Sequence, residues 1–143
     1  MADPLAELFA LDRARPAERS LILDSWSRSF WKSATARAMH PTDYWEAIRY
    51  VSETLLVECD TFVLRSVDRP ELVVGWSCGT PGELHYVYVK REALGVKMRR
   101  QGLGWRLVRA HGEVRTYTHR VAPGSYFLDR AGVTYSARFW EDV

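Results

Sequence analysis

Two amphipathic helices are predicted in the first part of the chain. The segment of about 16–33 has a proline in its first turn, and its large apolar residues recur at helical spacing. The stretch "HPTDYWEAIRYVSETLL" repeats the pattern, with Thr42 as the predicted cap and acidic residues near the positive helix end. The apolar positions are Leu21, Ile22, Trp26, Phe30 and Trp31 in the first helix, and Trp45, Ile48, Val51 or Ser52, and Leu55 in the second.

The pattern then changes to strands rich in β-branched and aromatic residues. "TFVLRSV" and "ELVVGWSCG", separated by the turn signal "VDRP", predict a hairpin, and "LHYVYVK" after "TPGE" predicts a third strand. The remaining order is a helix ending at Gly112, a strand, a short helix and a closing strand, while "LAELFAL" near the start fits a strand or a helical turn. This order predicts a mixed α/β domain with a mixed sheet. The predicted strands are 61–67, 71–79, 84–90, 113–120 and 133–140.

Length and composition predict one domain over residues 1–143. Cys59 and Cys78 lie far apart and match no metal-ligand spacing, so we expect no metal site and reduced thiols. The start of the chain lacks the pattern of a signal peptide, and no apolar run is long enough to cross a membrane. These features predict a cytoplasmic protein.

Charge is distributed unevenly, although the formal net charge is only +2. Residues 1–60 hold seven basic and ten acidic residues, a net −3, whereas residues 90–120 hold nine basic and two acidic residues, a net +7. The basic segment indicates either a polyanion site or a solvated basic face.

The basic segment contains "RRQGLGW", in which two glycines follow two arginines and precede a predicted helix. Unpaired amides at a helix start carry partial positive charge, and glycine lets them approach a phosphate closely. Arginines beside the turn would add charge-assisted hydrogen bonds. The motif is neither a dinucleotide fingerprint nor a nucleoside-triphosphate loop. A glycine turn that only starts a helix on a basic surface is the structural alternative.

The stretch resembles the acetyl-coenzyme A signature of the GNAT superfamily of N-acetyltransferases, R/Q-x-x-G-x-G/A. "LHYVYV" is similar to the fourth strand of that family, and "SYFLDRAGV" is similar to its later "FYEK-GF" segment. The resemblance covers roughly residues 16–140, and small GNAT-like proteins of phages and bacteria have a similar "HYVYVK" strand.

The resemblance implies a mostly antiparallel central sheet, splayed between its fourth and fifth strands, with helices on both faces. Acetyl-coenzyme A would be the co-substrate, its arm would lie in the gap and its acyl carbonyl would point at a bulge in the fourth strand, where an amine attacks. The arm would pair with the strand at Val87, Tyr88 and Val89. The diphosphate would lie on the amides of Gln101, Gly102, Leu103, Gly104 and Trp105, with charge from Arg99 and Arg100.

Two departures from the family pattern concern the cofactor and the acid. "REALGVKM", between the strand and the motif, looks like an insertion that could cover the cofactor, shift it or mark a degenerate site. The tyrosine that often serves as general acid in the family aligns with Leu128, and Tyr126 lies two residues earlier.

Acyl transfer to an amine needs a base and an acid. His85 and Tyr86 lie beside the expected bulge, and Tyr126 lies in the C-terminal half, so these three are the catalytic candidates. A histidine titrates near neutral pH and suits the base. Packing in the strand without any chemistry is the alternative role for His85. Glu83 and His119 are weaker candidates.

Three functions fit the sequence. An N-acetyltransferase acting on an amine of a small molecule or a protein is the first, and a GNAT-like binding or regulatory module without catalysis is the second. The third is nucleic-acid binding through the basic segment. The closing strand at 133–140 could pair between subunits in a homodimer.

Overall fold

The computed structural model describes residues 7–99, 101–120 and 124–136, with side chains described for all of these except 124–126. Within them the chain forms a mixed α/β fold, as the sequence predicts. The strands are β1 Phe9–Arg13, β2 Asp60–Ser66, β3 Val73–Thr80, β4 Glu83–Val89, β5 Glu92–Ala93, β6 Val96–Lys97, β7 Thr116–Tyr117 and β8 Thr134–Tyr135.

The two predicted N-terminal helices, the three strands after them and the final helix, strand, helix and strand follow the predicted order, while two short helices and the β5–β6 pair are additional. A 3-10 turn, Pro16–Glu18, precedes the first helix, and a π-helical turn, Val51–Leu55, follows the third. The α-helices are α1 Arg19–Trp31, α2 Ala34–Arg37, α3 Pro41–Tyr50, α4 Leu56–Glu58, α5 Leu103–Arg109 and α6 Gly124–Arg130.

The described strands form a six-stranded sheet in the order β1-β2-β3-β4-β7-β8, and β5 and β6 pair separately. Neighbours from β1 to β4 are antiparallel, whereas β4–β7 and β7–β8 are parallel. The predicted hairpin and third strand are thus confirmed, and the sheet is mostly antiparallel as expected. The splay between β4 and its parallel neighbour stays a prediction.

Helix α1 follows from the predicted apolar stripe. Ile22, Trp26 and Phe30, four residues apart, are buried against the sheet. The other two residues of the predicted stripe face outward, since Leu21 is 40% and Trp31 63% exposed. The contact of α1 with the sheet is therefore made by one helical face, whose residues are spaced four positions apart.

Helix α3 differs from the prediction in its cap and in one position of its apolar stripe. His40, and not Thr42, is the N-cap: its Nδ1 accepts a hydrogen bond from the Thr42 amide at 3.2 Å. Pro41 takes the first helical position, where its missing N–H costs nothing, so the helix begins earlier. Tyr44 faces inward while Trp45 is 63% exposed, and the other predicted positions lie in the core as expected: Ile48, Val51 and Leu55.

Two apolar cores lie on opposite sides of the sheet, one under α1 and α3 and the other under α5, so helices cover both faces as expected. Trp26, Trp76 and Tyr86 belong to the first core, and Leu107 and Tyr117 to the second. Strands β2, β3 and β4 each supply both cores because successive side chains point to opposite faces.

The predicted insertion "REALGVKM" forms the β5–β6 hairpin. Leu94 and Gly95 both have positive φ, 54° and 72°, as a two-residue type I′ turn requires. The Met98 amide donates to the Arg91 carbonyl at 2.9 Å, which closes the base of the hairpin. Leu94 and Val96 are exposed, whereas Met98 is buried in the core under α5.

The last strands are shorter than predicted. The 113–120 segment contributes only Thr116–Tyr117, and the 133–140 segment contributes Thr134–Tyr135, with 137–140 outside the described residues. Helix α5 ends at Arg109, and the chain turns before Gly112. Within the described ranges, no helix combines the length and apolarity needed to span a membrane.

Candidate active site

A bulge interrupts the pairing of β4 with β3. Tyr86 pairs with Cys78 and Leu84 pairs with Gly79, so His85 is the extra residue on β4. A Cβ on Gly79 would lie 2.4 Å from the Glu83 carbonyl oxygen, so only glycine allows the strands to approach here. The bulge falls where the resemblance predicts the acyl carbonyl to point.

His85 connects the bulge to the segment after β7. Its Nδ1 lies 2.7 Å from Thr118 Oγ1, which lies 2.7 Å from Nδ1 of His119. A hydroxyl donates one proton, so at most one of these Nδ1 atoms accepts it, and the other imidazole is protonated at Nδ1. The threonine therefore fixes the tautomer and the orientation of at least one ring.

Both histidines of this chain of contacts are buried, His85 at 2% and His119 at 3% exposure. Burial lowers the pKa of His119 well below its ordinary value, and the nearby His85 lowers it further. His119 is therefore neutral in the fold and can act as a hydrogen-bond partner but not as a cation.

Tyr86, the second catalytic candidate, is held in the core. Its hydroxyl lies 2.9 Å from both Ser25 Oγ and Ser29 Oγ, and its ring stacks on Trp26 with centroids 4.9 Å apart. Trp76 Nε1 donates to the same Ser25 hydroxyl at 3.2 Å. Burial raises the pKa of Tyr86. These contacts tie β4 to α1.

Among the described strands, the second half of β4 has a neighbour on one side only. Tyr88 pairs with Trp76, and the Lys90 amide donates to the Val74 carbonyl at 2.8 Å, so these residues direct their backbone groups toward β3. The alternation of a strand directs the backbone groups of Val87 and Val89 to the opposite side. There β7 pairs only with Glu83 and Leu84, and no strand of the described residues continues the ladder.

Arg99 lies at the end of this half-paired segment. Its Nε donates to the Val89 carbonyl at 2.9 Å, and its guanidinium carbon lies 5.3 Å from the centre of the Tyr88 ring. A positive charge is thus held where β4 ends and the glycine turn begins. Arg100 lies outside the described residues.

The glycine turn forms the start of α5. Gly102 is the N-cap with φ +81°, a left-handed conformation that favours glycine, and a Cβ there would meet nothing within 4 Å. A Cβ on Gly104 would lie 3.6 Å from the Phe127 ring. Leu103 is buried and fixes the turn to the core, while Gln101 is exposed and the half-buried Trp105 packs edge-on against Phe127.

The third catalytic candidate, Tyr126, has its side chain outside the described residues. Leu128, at the position of the family's acid tyrosine, is 3% exposed and packs in the core under α5. Leu128 therefore contributes packing at that position.

Arginines of the basic segment make contacts within the fold. Arg106 donates to the Phe9 carbonyl at 3.1 Å, and Arg120 forms an ion pair with Asp129 at 2.9 Å. The ion pair compensates the charge of Arg120, and the bond to Phe9 holds the guanidinium of Arg106 within the fold, so these contacts do not favour the nucleic-acid alternative.

Thr118 and Cys59 are neighbours of His85 that the sequence analysis did not connect with it. Thr118 follows His85 by 33 positions, and Cys59 lies far before it, between α4 and β2. Contacts between residues this far apart leave no periodic signal in a single sequence. The histidine next to Thr118 and the change of pattern at Cys59 are the only local cues.

The sequence matches no protein-family model. It also matches no curated protein. Solved structures do resemble the fold. A histone acetyltransferase HPA2 and related acetyltransferase from Corynebacterium glutamicum has a TM-score of 0.50 and 15% identity, with 93% of this chain and 80% of that chain covered.

Two further structures match with lower scores. Apo YjaB from Escherichia coli has a TM-score of 0.48 at 21% identity, with 72% of this chain covered, and a GCN5-related N-acetyltransferase from Rhodopseudomonas palustris has 0.41 at 14%, with 71% covered. The chain spans 63% and 62% of the lengths of these two proteins. The protein has the GNAT-type acetyltransferase fold, and at these identities the likeness concerns the fold alone.

Proposed function

We propose that the protein is an acyl-coenzyme A-dependent N-acetyltransferase that transfers an acetyl group from acetyl-coenzyme A to an amine. The observation that carries the proposal is the half-paired segment of β4, which ends beside Arg99 and the glycine turn. Backbone groups of Val87 and Val89 offer hydrogen bonds on the side that β7 leaves unpaired.

An extended amide-containing arm fits this edge because it can pair with strand backbone as another strand would. The Val89 carbonyl accepts a hydrogen bond from Arg99. Val89 would therefore pair with the arm only if Arg99 releases this carbonyl or shares it with the arm. The guanidinium of Arg99 and the open turn at Gly102 would then meet the diphosphate at the end of the arm. The amides of Gln101 to Trp105 remain the proposed phosphate contacts.

His85 is the proposed base, because it lies on the bulge and Thr118 orients its ring. It would take a proton from the attacking amine while the thioester supplies the acyl group. Because His85 is buried, the amine would have to displace side chains packed around the imidazole to reach it. Tyr86 and Tyr126 remain the proposed acids, although donation by Tyr86 would disrupt its contacts with Ser25 and Ser29.

Thermal unfolding with acetyl-coenzyme A tests the binding step. Binding to the folded state adds about 3 kcal/mol of stability at a hundredfold excess over Kd. We expect a clear rise in Tm with acetyl-coenzyme A and a smaller one with adenosine diphosphate. No rise at millimolar acetyl-coenzyme A would refute the proposal.

Arg99→Ala sharpens this test. Loss of a charged phosphate contact should weaken acetyl-coenzyme A about tenfold or more, and Arg109→Ala, an exposed arginine of α5, is the matched control with little expected effect. Equal Kd values for the two variants would remove Arg99 from the site. The Tm of each free variant shows whether the lost bond to Val89 matters for folding.

A binding module without catalysis is the second candidate. The buried Leu128 at the position of the acid tyrosine and the buried His85 favour it. Release of free thiol from acetyl-coenzyme A, measured across a broad panel of amines, separates the two. Turnover that His85→Gln abolishes supports the transferase, and tight binding without turnover on any amine supports the module.

A further inference from the structure

Cys59 and Cys78 pack in the same core. Cys78 of β3 pairs with Thr61 of β2, and Cys59, the residue just before β2, packs against the apolar core that includes Cys78. Both also contact the Leu55 carbonyl: the Cys59 amide donates to it at 3.0 Å, and the Cys78 thiol donates at 3.6 Å. Leu55 ends the π-helical turn, so this turn brings the two cysteines together.

The two thiols differ in exposure and in ionisation. Cys78 is fully buried, whereas Cys59 is half-buried and reaches the surface. Interaction with the Cys78 thiol, assisted by His85, lowers the pKa of Cys59 to about 5, against the opposing effects of burial and of Glu58. The neighbouring Cys59, burial and the charge of Asp60 raise the pKa of Cys78. Cys59 therefore ionises first.

We propose that Cys59 and Cys78 form a redox-active dithiol, which hydrogen peroxide converts to an intramolecular disulfide beside the β4 bulge. Cys59 is the attacking sulfur and Cys78 the resolving sulfur. Within the residues that the structure describes, no group of three or more His, Cys, Asp or Glu side chains is placed to hold a metal ion.

The oxidation takes two steps. The Cys59 thiolate attacks one peroxide oxygen, the O–O bond breaks, and the released hydroxide takes a proton to become water, leaving a sulfenic acid. Cys78 then attacks the Cys59 sulfur, the S–O bond breaks, and the leaving hydroxide takes the Cys78 proton as a second water. The two sulfurs lose two electrons, and the peroxide gains them.

The disulfide would alter the candidate active site without touching its backbone contacts. It removes the thiolate that interacts with His85 and cross-links the start of β2 to the end of β3, which faces the bulge. The imidazole would then lose an anionic neighbour while its contact with Thr118 remains.

Oxidation of the purified full chain tests the proposal, because the sequence holds only these two cysteines. With hydrogen peroxide we expect both thiols to disappear together and the monomer mass to fall by two hydrogens, and a reductant should reverse both. Cys78→Ser should stop at a sulfenic acid that dimedone traps on Cys59. Cys59→Ser should leave Cys78 reduced at the same peroxide concentration.

Alkylation of the unmodified protein gives a second readout that needs no core substitution. The rate of iodoacetamide reaction at Cys59 should follow a pKa well below that of an ordinary thiol, and His85→Gln, which removes the smaller of the two interactions that lower this pKa, should slow it about twofold near pH 6. An ordinary thiol profile, or oxidation that proceeds at equal rates at the two cysteines or links two chains, would overturn the proposal.

Discussion

The two faces of the central sheet are held in different ways. On the face under α1, buried polar atoms pair with one another: Tyr86, Ser25 and Trp76 share hydrogen bonds inside an apolar core. The face under α5 has one such buried contact, between Ser77 Oγ and His111 Nε2, but on this face glycines also bring backbone close. A Cβ on Gly75 would lie 2.9 Å from the Tyr88 carbonyl oxygen and 3.0 Å from Leu107.

This difference predicts how each face responds to change. Buried polar groups are costly when one partner is lost, because the other remains desolvated. Close backbone contacts fail when volume is added, because backbone cannot move aside as a flexible side chain can. The face under α1 should therefore be sensitive to removal of atoms, and the face under α5 to their addition.

Gly79→Ala should give the largest effect. The new Cβ would lie 2.4 Å from the Glu83 carbonyl oxygen and 3.3 Å from His111 Nδ1. We expect a loss of about 3 kcal/mol or more in the free energy of unfolding, measured with urea. Gly104→Ala is the control: its Cβ meets Phe127 at an ordinary 3.6 Å, and helix propensity favours alanine by about 0.5–1 kcal/mol. Equal changes in the free energy of unfolding for the two variants would refute the claim that the close backbone contact at Gly79 causes the loss.

Tyr86→Phe should give a smaller loss on the other face. It deletes one hydroxyl without adding volume, and Ser25 keeps its bond from Trp76 while Ser29 loses its partner at Tyr86. We expect a loss of about 1–2 kcal/mol in urea unfolding. Tyr88→Phe, on the same strand and with its ring stacked on Trp76, should change stability by less than about 0.5 kcal/mol. A reversed order would contradict the role of the buried hydroxyl.

Acid should weaken the face under α5 through His111. Burial lowers the pKa of His111 from 6.5 to about 4, and its Nε2 lies 2.9 Å from Ser77 Oγ. Between these values the unfolded chain binds more protons than the folded one, so stability is full above about pH 6.5 and falls as the pH drops toward 4. We expect Tm to fall over this window.

His111→Gln should reduce the slope of Tm against pH between 4 and 6.5. A residual slope is expected because burial also lowers the pKa of His119, on the other face. An unchanged slope in the variant would assign the acid sensitivity to other groups.

Much of the fold follows from local pattern. The i, i+4 stripe of Ile22, Trp26 and Phe30 and the alternation of "LHYVYV" identified α1 and β4, because burial of one face requires those periods. In the stripe predicted for α3 and the turn after it, Ile48, Val51 and Leu55 are confirmed, but Tyr44 and not Trp45 faces inward, where its ring stacks on Phe30 of α1.

The candidate site could be predicted only in part. The motif located Arg99 and the glycine turn, and the resemblance located the bulge at His85. The contacts of His85 with Thr118 and Cys59 join distant segments. They depend on the register of β4 with its neighbours, and a single-residue shift would send every side chain to the other face.

The β5–β6 hairpin leaves and rejoins the fold at adjacent points, because the Arg91 carbonyl and the Met98 amide are bonded across its base. Replacing its tip with a longer peptide or a fluorophore-bearing loop therefore alters only local chain entropy, which rises slowly with length. Evolution can likewise vary the length of this hairpin while β4 and the glycine turn keep their spacing in three dimensions.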